Sequence, residues 1–338
     1  MRFSSIEGQP LALAFLRRMA QGGRVPSGLL FHGPSHVGKR KAALALAAAL
    51  NCENPTHPPA ESPEDGSGWD GCGACPACRK ISEGVHPDVE LVSADGQFIK
   101  IDQIRAITDR LTMNPFSAAK RVIIVDDAER MNPQAANAFL KTLEEPPADT
   151  LIILVTGFPT RLPETILSRC MPVRFHLLPR SVLAKALEAD HRLKGEELEF
   201  ALRFCQGRLR PELRENAGRL LALRDDLIHS LERLTDMAFE QVYNRITRWA
   251  NSEDLDFVLE ALETWFHDLA LLGGGADETH LINRDKSPAL RQWLPHLPPR
   301  RAETCHRAVL DVRDQLALHA NKVLVLESLW LTLKQNAL

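Results

Sequence analysis

The chain has 338 residues, enough for two or three domains, and its 44% hydrophobic and 25% charged residues match an ordinary soluble globular protein with a sizeable core. With 41 basic against 44 acidic side chains, the net charge of -3 excludes the global basic field of a protein that holds nucleic acid by charge alone. No apolar run reaches the ~20 residues of a membrane span and no charged-plus-apolar leader opens the sequence, so the expectation is a cytoplasmic protein with no membrane partner.

In chain order, a helix is expected from Pro10 to Met19 with Leu11, Phe15 and Leu16 inward. A strand, Gly28 to His32, then runs into Gly33-Pro-Ser-His-Val-Gly-Lys39-Arg40 and an Ala/Leu-rich helix, Lys41 to Leu50. Strand, Gly-rich loop and helix form the context of a phosphate-binding P-loop, in which Gly33 and Gly38 allow the tight path, backbone N–H groups hold phosphate oxygens and Lys39 meets the outer phosphates. One position departs from that pattern. A Ser or Thr hydroxyl directly after the lysine helps hold Mg²⁺, but here Arg40, a cation, cannot ligate a metal. The expectation is a retired P-loop, or one that binds nucleotide weakly without efficient hydrolysis.

Residues 51–88 read as an insertion rich in Pro, Gly, Glu and Ser that carries Cys52 and a C-x₂-C-x₂-C run at Cys72, Cys75 and Cys78. Four thiolates can enclose a tetrahedral Zn²⁺ and leave no open position, so the site should be structural, supplying fold energy to a segment too polar for its own core. Cys52 is the least secure ligand, with His57 or His86 as substitutes; free thiols and an iron–sulfur cluster are the alternatives. Cys170, Cys205 and Cys305 are isolated and read as small buried hydrophobes.

Val89 to Val92 reads as a strand and Ile101 to Met113 as an amphipathic helix with Ile101, Ile104, Ile107 and Leu111 on one face. The apolar strand Val122 to Val125 ends in Asp126 and Asp127, positioned to hold Mg²⁺ and polarise an attacking water in ATPases of this layout. A helix from Asn132 to Glu145 stops at Pro146-Pro147, and a further strand, Leu151 to Val155, closes on Thr156, a candidate γ-phosphate sensor. Strand, helix, strand is a crossover unit, so the sheet should be parallel with its chemistry at the carboxyl ends. A short helical segment then ends in Ser168-Arg169-Cys170. Arg169, beyond the sheet, is a candidate arginine finger supplied in trans to a neighbour's phosphoryl group, against the plain alternative of a surface salt bridge.

Leu178-Pro179 mark a boundary. Two short helical patterns follow, Ser181 to Ala189 and Glu196 to Phe204, then Gly207-Arg-Leu-Arg210. Residues 214–338 are helical in pattern, with Trp249, Trp265, Phe266, Trp293 and Trp330 as bulky core or interface residues, a break at Gly273 to Gly275, and a final long helix or helix pair from Leu310 to Leu333. An all-helical tail without a catalytic constellation reads as packing or oligomerisation.

Taken together, Gly33 to Lys39, the Cys72/Cys75/Cys78 cluster, Ala135 to Pro147, Ser168-Arg-Cys170, Gly207-Arg-Leu-Arg210 and Asn321 to Glu327 resemble the delta-prime subunits of bacterial DNA polymerase III clamp loaders, within the AAA+ ATPases. The resemblance implies an α/β RecA-like AAA+ domain over 1–178 with a zinc module at about 52–78, a helical lid over 179–213 and an all-α collar over 214–338. It implies partnership with gamma/tau and delta subunits, and contact with the sliding clamp and primed DNA through the complex. It also implies that Arg169 reaches a neighbour's ATP site and that Arg210 stands at the place of the lid arginine. Arg40 agrees with an inactive site, whereas Lys39, Asp126 and Asp127 keep ATP/Mg²⁺ binding open. The competing expectations are an active gamma/tau-type ATPase subunit and a zinc-dependent DNA-binding module, for which the charge near Arg79-Lys80 is sparse.

Overall fold

A computed structural model describes the chain outside residues 57–67, 112–117, 192, 234–236, 318–319 and 338. It divides into two compact units, Met1–Ala186 with Gln206–Arg210, and Leu187–Cys205 with Pro211–Leu338.

The first unit runs α1 (Pro10–Gln21), β1 (Gly28–His32), α2 (Lys39–Leu50), α3 (Pro76–Ser82), β2 (Val89–Val92), α4 (Ile101–Leu111), β3 (Arg121–Val125), α5 (Pro133–Glu144), β4 (Thr150–Thr156), α6 (Glu164–Leu167), β5 (Met171–Arg174) and the start of α7 (Arg180–His191). The five strands make one parallel sheet in the order β2-β3-β4-β1-β5. Both faces are covered. Leu29, Phe31, Ile124 and Ile153 pack with Leu16, Leu46 and Ile81, while Leu30, Ile123, Val125 and Leu154 pack with Ile104, Phe139 and Ile166. Burial on both sides is why these strands read as unbroken apolar runs rather than alternating ones. Alanines 42, 43, 45, 47 and 48 of α2 are fully buried, and their small side chains let that helix lie close on the sheet. At α5, Asn132 caps the helix by accepting from the Ala135 N–H at 2.8 Å, with Pro133 at the first position, where its missing N–H costs nothing.

One expectation is corrected, and one strand carries no sequence signal. Leu11 and Phe15 do not face inward, being 77% and 42% exposed; α1 buries Ala12, Leu13, Leu16 and Ala20 instead. Strand β5 has no apolar run to announce it, because Met171, Pro172 and Arg174 of this edge strand are exposed and Val173 alone is buried. At the other edge, Glu90 of β2 pairs with Arg110 of α4.

The second unit has helices and no strand among its described residues: α8 (Gly195–Cys205), α9 (Pro211–Glu232, with non-helical backbone at Asn216), α10 (Phe239–Ala250), α11 (Leu255–Gly273), α12 (Ser287–Trp293), α13 (Pro299–Ala317) and α14 (Lys322–Ala337). The expected long C-terminal element is thus a pair. Trp265, Phe266, Trp249 and Trp330 are buried, and Trp293 meets Trp265 edge to face at 6.3 Å. Arg224 of α9 is fully buried, its guanidinium over the Phe200 ring at 5.0 Å and paired with Asp285 at 2.5 Å, so its charge is offset where water is excluded. No helix among the described residues is long and apolar enough to cross a membrane.

Candidate functional site

The register Val125↔Leu154 and His32↔Thr156 brings the ends of β3, β4 and β1 to one carboxyl edge of the sheet, where Asp126, Thr156 and the loop from Gly33 meet. Gly33 has φ +138°, and a Cβ there would stand 2.2 Å from the Phe175 carbonyl oxygen, so the loop's first turn admits only glycine. Gly38, at φ +99°, caps α2. Gln9, 3% exposed, braces the loop: its Nε2 donates to the Val37 and His176 carbonyls at 3.2 and 2.6 Å, and its Oε1 accepts from the His176 N–H at 3.0 Å. Lys39 is 6% exposed, and its Nζ donates to the Gly33 and Pro34 carbonyls at 2.7 and 2.5 Å. Burial lowers its pKa, opposed by Glu129, Asp126 and Asp127, while Arg208 adds to the lowering. An arriving phosphate must draw the ammonium away from those two carbonyls.

Across the loop, Arg40 Nη1 lies 3.4 Å from Asp126 Oδ2. Burial raises the Asp126 pKa and Asp127 raises it further, whereas Arg40 holds it down. Asp127 itself is exposed, in left-handed backbone at φ +49°. The carboxylate that spacing did not single out is Glu129, on the 3-10 turn Ala128–Arg130. Its Oε1 accepts from the Gly157 N–H at 3.0 Å, its Oε2 is buried without a hydrogen-bond partner, and it heads the acids acting on Lys39. Thr156 is fully buried, and its Oγ1 accepts from the Phe158 N–H at 3.0 Å, a turn-forming role that still leaves its proton to donate. The segment carrying Arg210 docks on the loop, with the Leu209 N–H donating to the His36 carbonyl at 2.9 Å; Arg208, also missed from sequence, lies in the same Gly-Arg-Leu-Arg run.

Arg169 is elsewhere. A Cβ on Gly28 would lie 2.9 Å from the Arg169 carbonyl oxygen, so Arg169 belongs to the amino end of β1, about 13 Å of strand from the phosphate loop. Its Nη1 donates to the Thr165 carbonyl at 2.8 Å, and its Nη2 pairs with Glu144 Oε1 at 2.6 Å.

The four sulfurs of Cys52, Cys72, Cys75 and Cys78 lie within 4.8 Å of one another, with Cys52 and Cys75 3.9 Å apart, close to the edge of a tetrahedron with ~2.3 Å metal–sulfur bonds. Backbone N–H groups point at them: Cys72 at Cys52, Cys75 at Cys72 and Cys78 at Cys75, at 3.2, 3.2 and 3.4 Å. Donors from Ala74 and Cys75 draw the Cys72 thiol down to about 6, while burial pushes Cys52 and Cys78 up. The cluster could hold a metal ion, with Cys52 as fourth ligand. His86 stands apart from it, with Nδ1 accepting from the Asp88 N–H at 3.1 Å, and His57 lies outside the described residues. Asp70 ties this module to the N-terminus, its Oδ1 accepting from the Phe3 N–H and its Oδ2 from the Ser4 N–H, both at 2.9 Å. Cys170, Cys205 and Cys305 are buried, and burial pushes Cys170 up to about 11 and Cys305 up to about 12.

The chain is 35% identical over 185 residues to DNA polymerase III subunit delta' of Bacillus subtilis (strain 168), covering 54% of this chain and 53% of that one. To subunit tau of the same organism it is 32% identical over 293 residues, covering 83% of this chain and 48% of the relative. It thus spans about half the length of each of these two relatives. To subunit delta' of Escherichia coli (strain K12) it is 28% identical over 306 residues, covering 88% and 84%. Residues 8–179, half of the chain, match the family described as "DNA polymerase III, delta subunit", and the chain belongs to that family.

Proposed function

We propose that the chain is the delta-prime-type subunit of a DNA polymerase III clamp loader. In this reading it turns over little or no nucleotide itself, lends Arg169 to the ATP site of a neighbouring gamma/tau-type subunit, and helps a delta-containing assembly place the sliding clamp on primed DNA in the cytoplasm. The observation that carries this reading is the position of Arg169: at the amino end of β1, it cannot reach the phosphate loop of its own chain, so a role in phosphoryl transfer has to be played at another subunit's site. The Ser168-Arg169-Cys170 run makes that site the natural target, and Glu144 holds the guanidinium until a stronger anion replaces it. The same reading assigns a structural Zn²⁺ to Cys52, Cys72, Cys75 and Cys78. It assigns a RecA-like AAA+ domain to 1–178, a lid to 179–213 and a collar to 214–338.

The test is Arg169→Ala in the reconstituted assembly. Subunits should still associate, while DNA-stimulated ATP turnover by the partners falls by roughly 10³ or more, the worth of such fingers in other systems. Unchanged turnover in an intact assembly rejects the role. The likeness to tau supports a second reading, a gamma/tau-type ATPase in its own right, against which Arg40 at the magnesium position counts directly.

A further inference from the structure

We propose that the phosphate loop binds a nucleoside polyphosphate without a divalent metal, the Arg40 guanidinium taking the place that magnesium holds in a working P-loop. A magnesium-using loop places the ion between the hydroxyl after the lysine and the acid at the neighbouring strand's end. Here Arg40 fills the first position and Asp126 the second, and they join directly, Nη1 to Oδ2 at 3.4 Å. These residues do not fit a magnesium ion: a guanidinium has no lone pair to offer, and its fixed charge repels a dication beside it.

They do fit phosphate. The Arg40 side chain is 53% exposed, so donors not turned to Asp126 remain open to a ligand entering the loop, and a planar fork meets phosphate oxygens two at a time. A second cation beside Lys39 serves there, because Asp126, Asp127 and Glu129 act on the same edge and oppose the ligand's charge. An ion pair this exposed adds little to stability, so its position, rather than its strength, carries the inference.

The inference deepens the reading of the chain as a subunit that does not hydrolyse nucleotide, and the two fail separately: the role of Arg169 is read in the assembly, ATP binding on the full chain alone. ATP binding is measured by equilibrium dialysis in buffer stripped of divalent ions over a resin, then with magnesium restored. Free chelators are avoided because they would attack a metal in the cysteine cluster. The natural chain should keep its dissociation constant within about twofold between the two buffers. Arg40→Thr, with its thermal midpoint checked to confirm folding, should bind about tenfold more weakly without magnesium and recover when it returns. Three results overturn the proposal: a natural chain that loses about tenfold without magnesium, one that binds ATP in neither buffer, or an Arg40→Thr variant matching the natural chain without magnesium.

Discussion

Gly33 is where the phosphate loop tolerates least. A methyl group there would fall 2.2 Å from the Phe175 carbonyl oxygen on a backbone at φ +138°, so Gly33→Ala should cost about 2 kcal/mol or more, read as a lower urea midpoint at unchanged slope. At this scale the sequence is informative wherever a motif dictates backbone. Gly33, Gly38 and Lys39 are legible because a strand, a glycine loop and a helix leave one way to hold phosphate. Glu129 is not legible, since its reach to Gly157 depends on the left-handed residue Asp127, and nothing local in the sequence announces that bend. Leu11 and Phe15 mislead for a related reason: periodicity marks an apolar stripe but does not say which side of it meets the sheet.

Among the elements, β1, β3 and β4 are legible because burial on both faces demands continuous apolar runs, whereas β5, exposed at the edge and containing Pro172, satisfies no such demand. The cysteine module is legible from spacing alone, and the structure adds the reason for its position: it anchors the first residues through Asp70 and rests on α2, where the Cys78 thiol points at the Ala48 carbonyl at 3.8 Å. Cys75→Ser should therefore lower metal content, read by elemental analysis, from about one ion per chain to a small fraction, and lower the melting temperature by roughly 5 °C or more. A natural protein free of metal would remove zinc from this account.

Over the whole molecule, composition and charge said least, because a net charge of -3 is shared by countless soluble proteins. What they could not convey is the distance between Arg169 and the phosphate loop, which depends on how the strands are ordered. That separation sets the last expectation. Purified alone, the chain should hydrolyse ATP well below ~1 s⁻¹, since the Arg40 position lacks a metal ligand and the candidate finger Arg169 points elsewhere; a rate at or above that value would favour the gamma/tau-type reading.

The sheet's two borders bear on the company the molecule keeps. A parallel sheet with a long, flat, apolar border invites another chain to add a strand, and identical copies would zip together first. Here one border carries Pro172, which has no amide proton to offer, beside the cation Arg174; the other is only four residues long, with Glu90 and Arg110 locked across it. Self-templated ribbons are discouraged at both ends, which leaves the protein's remaining surfaces available for unlike neighbours.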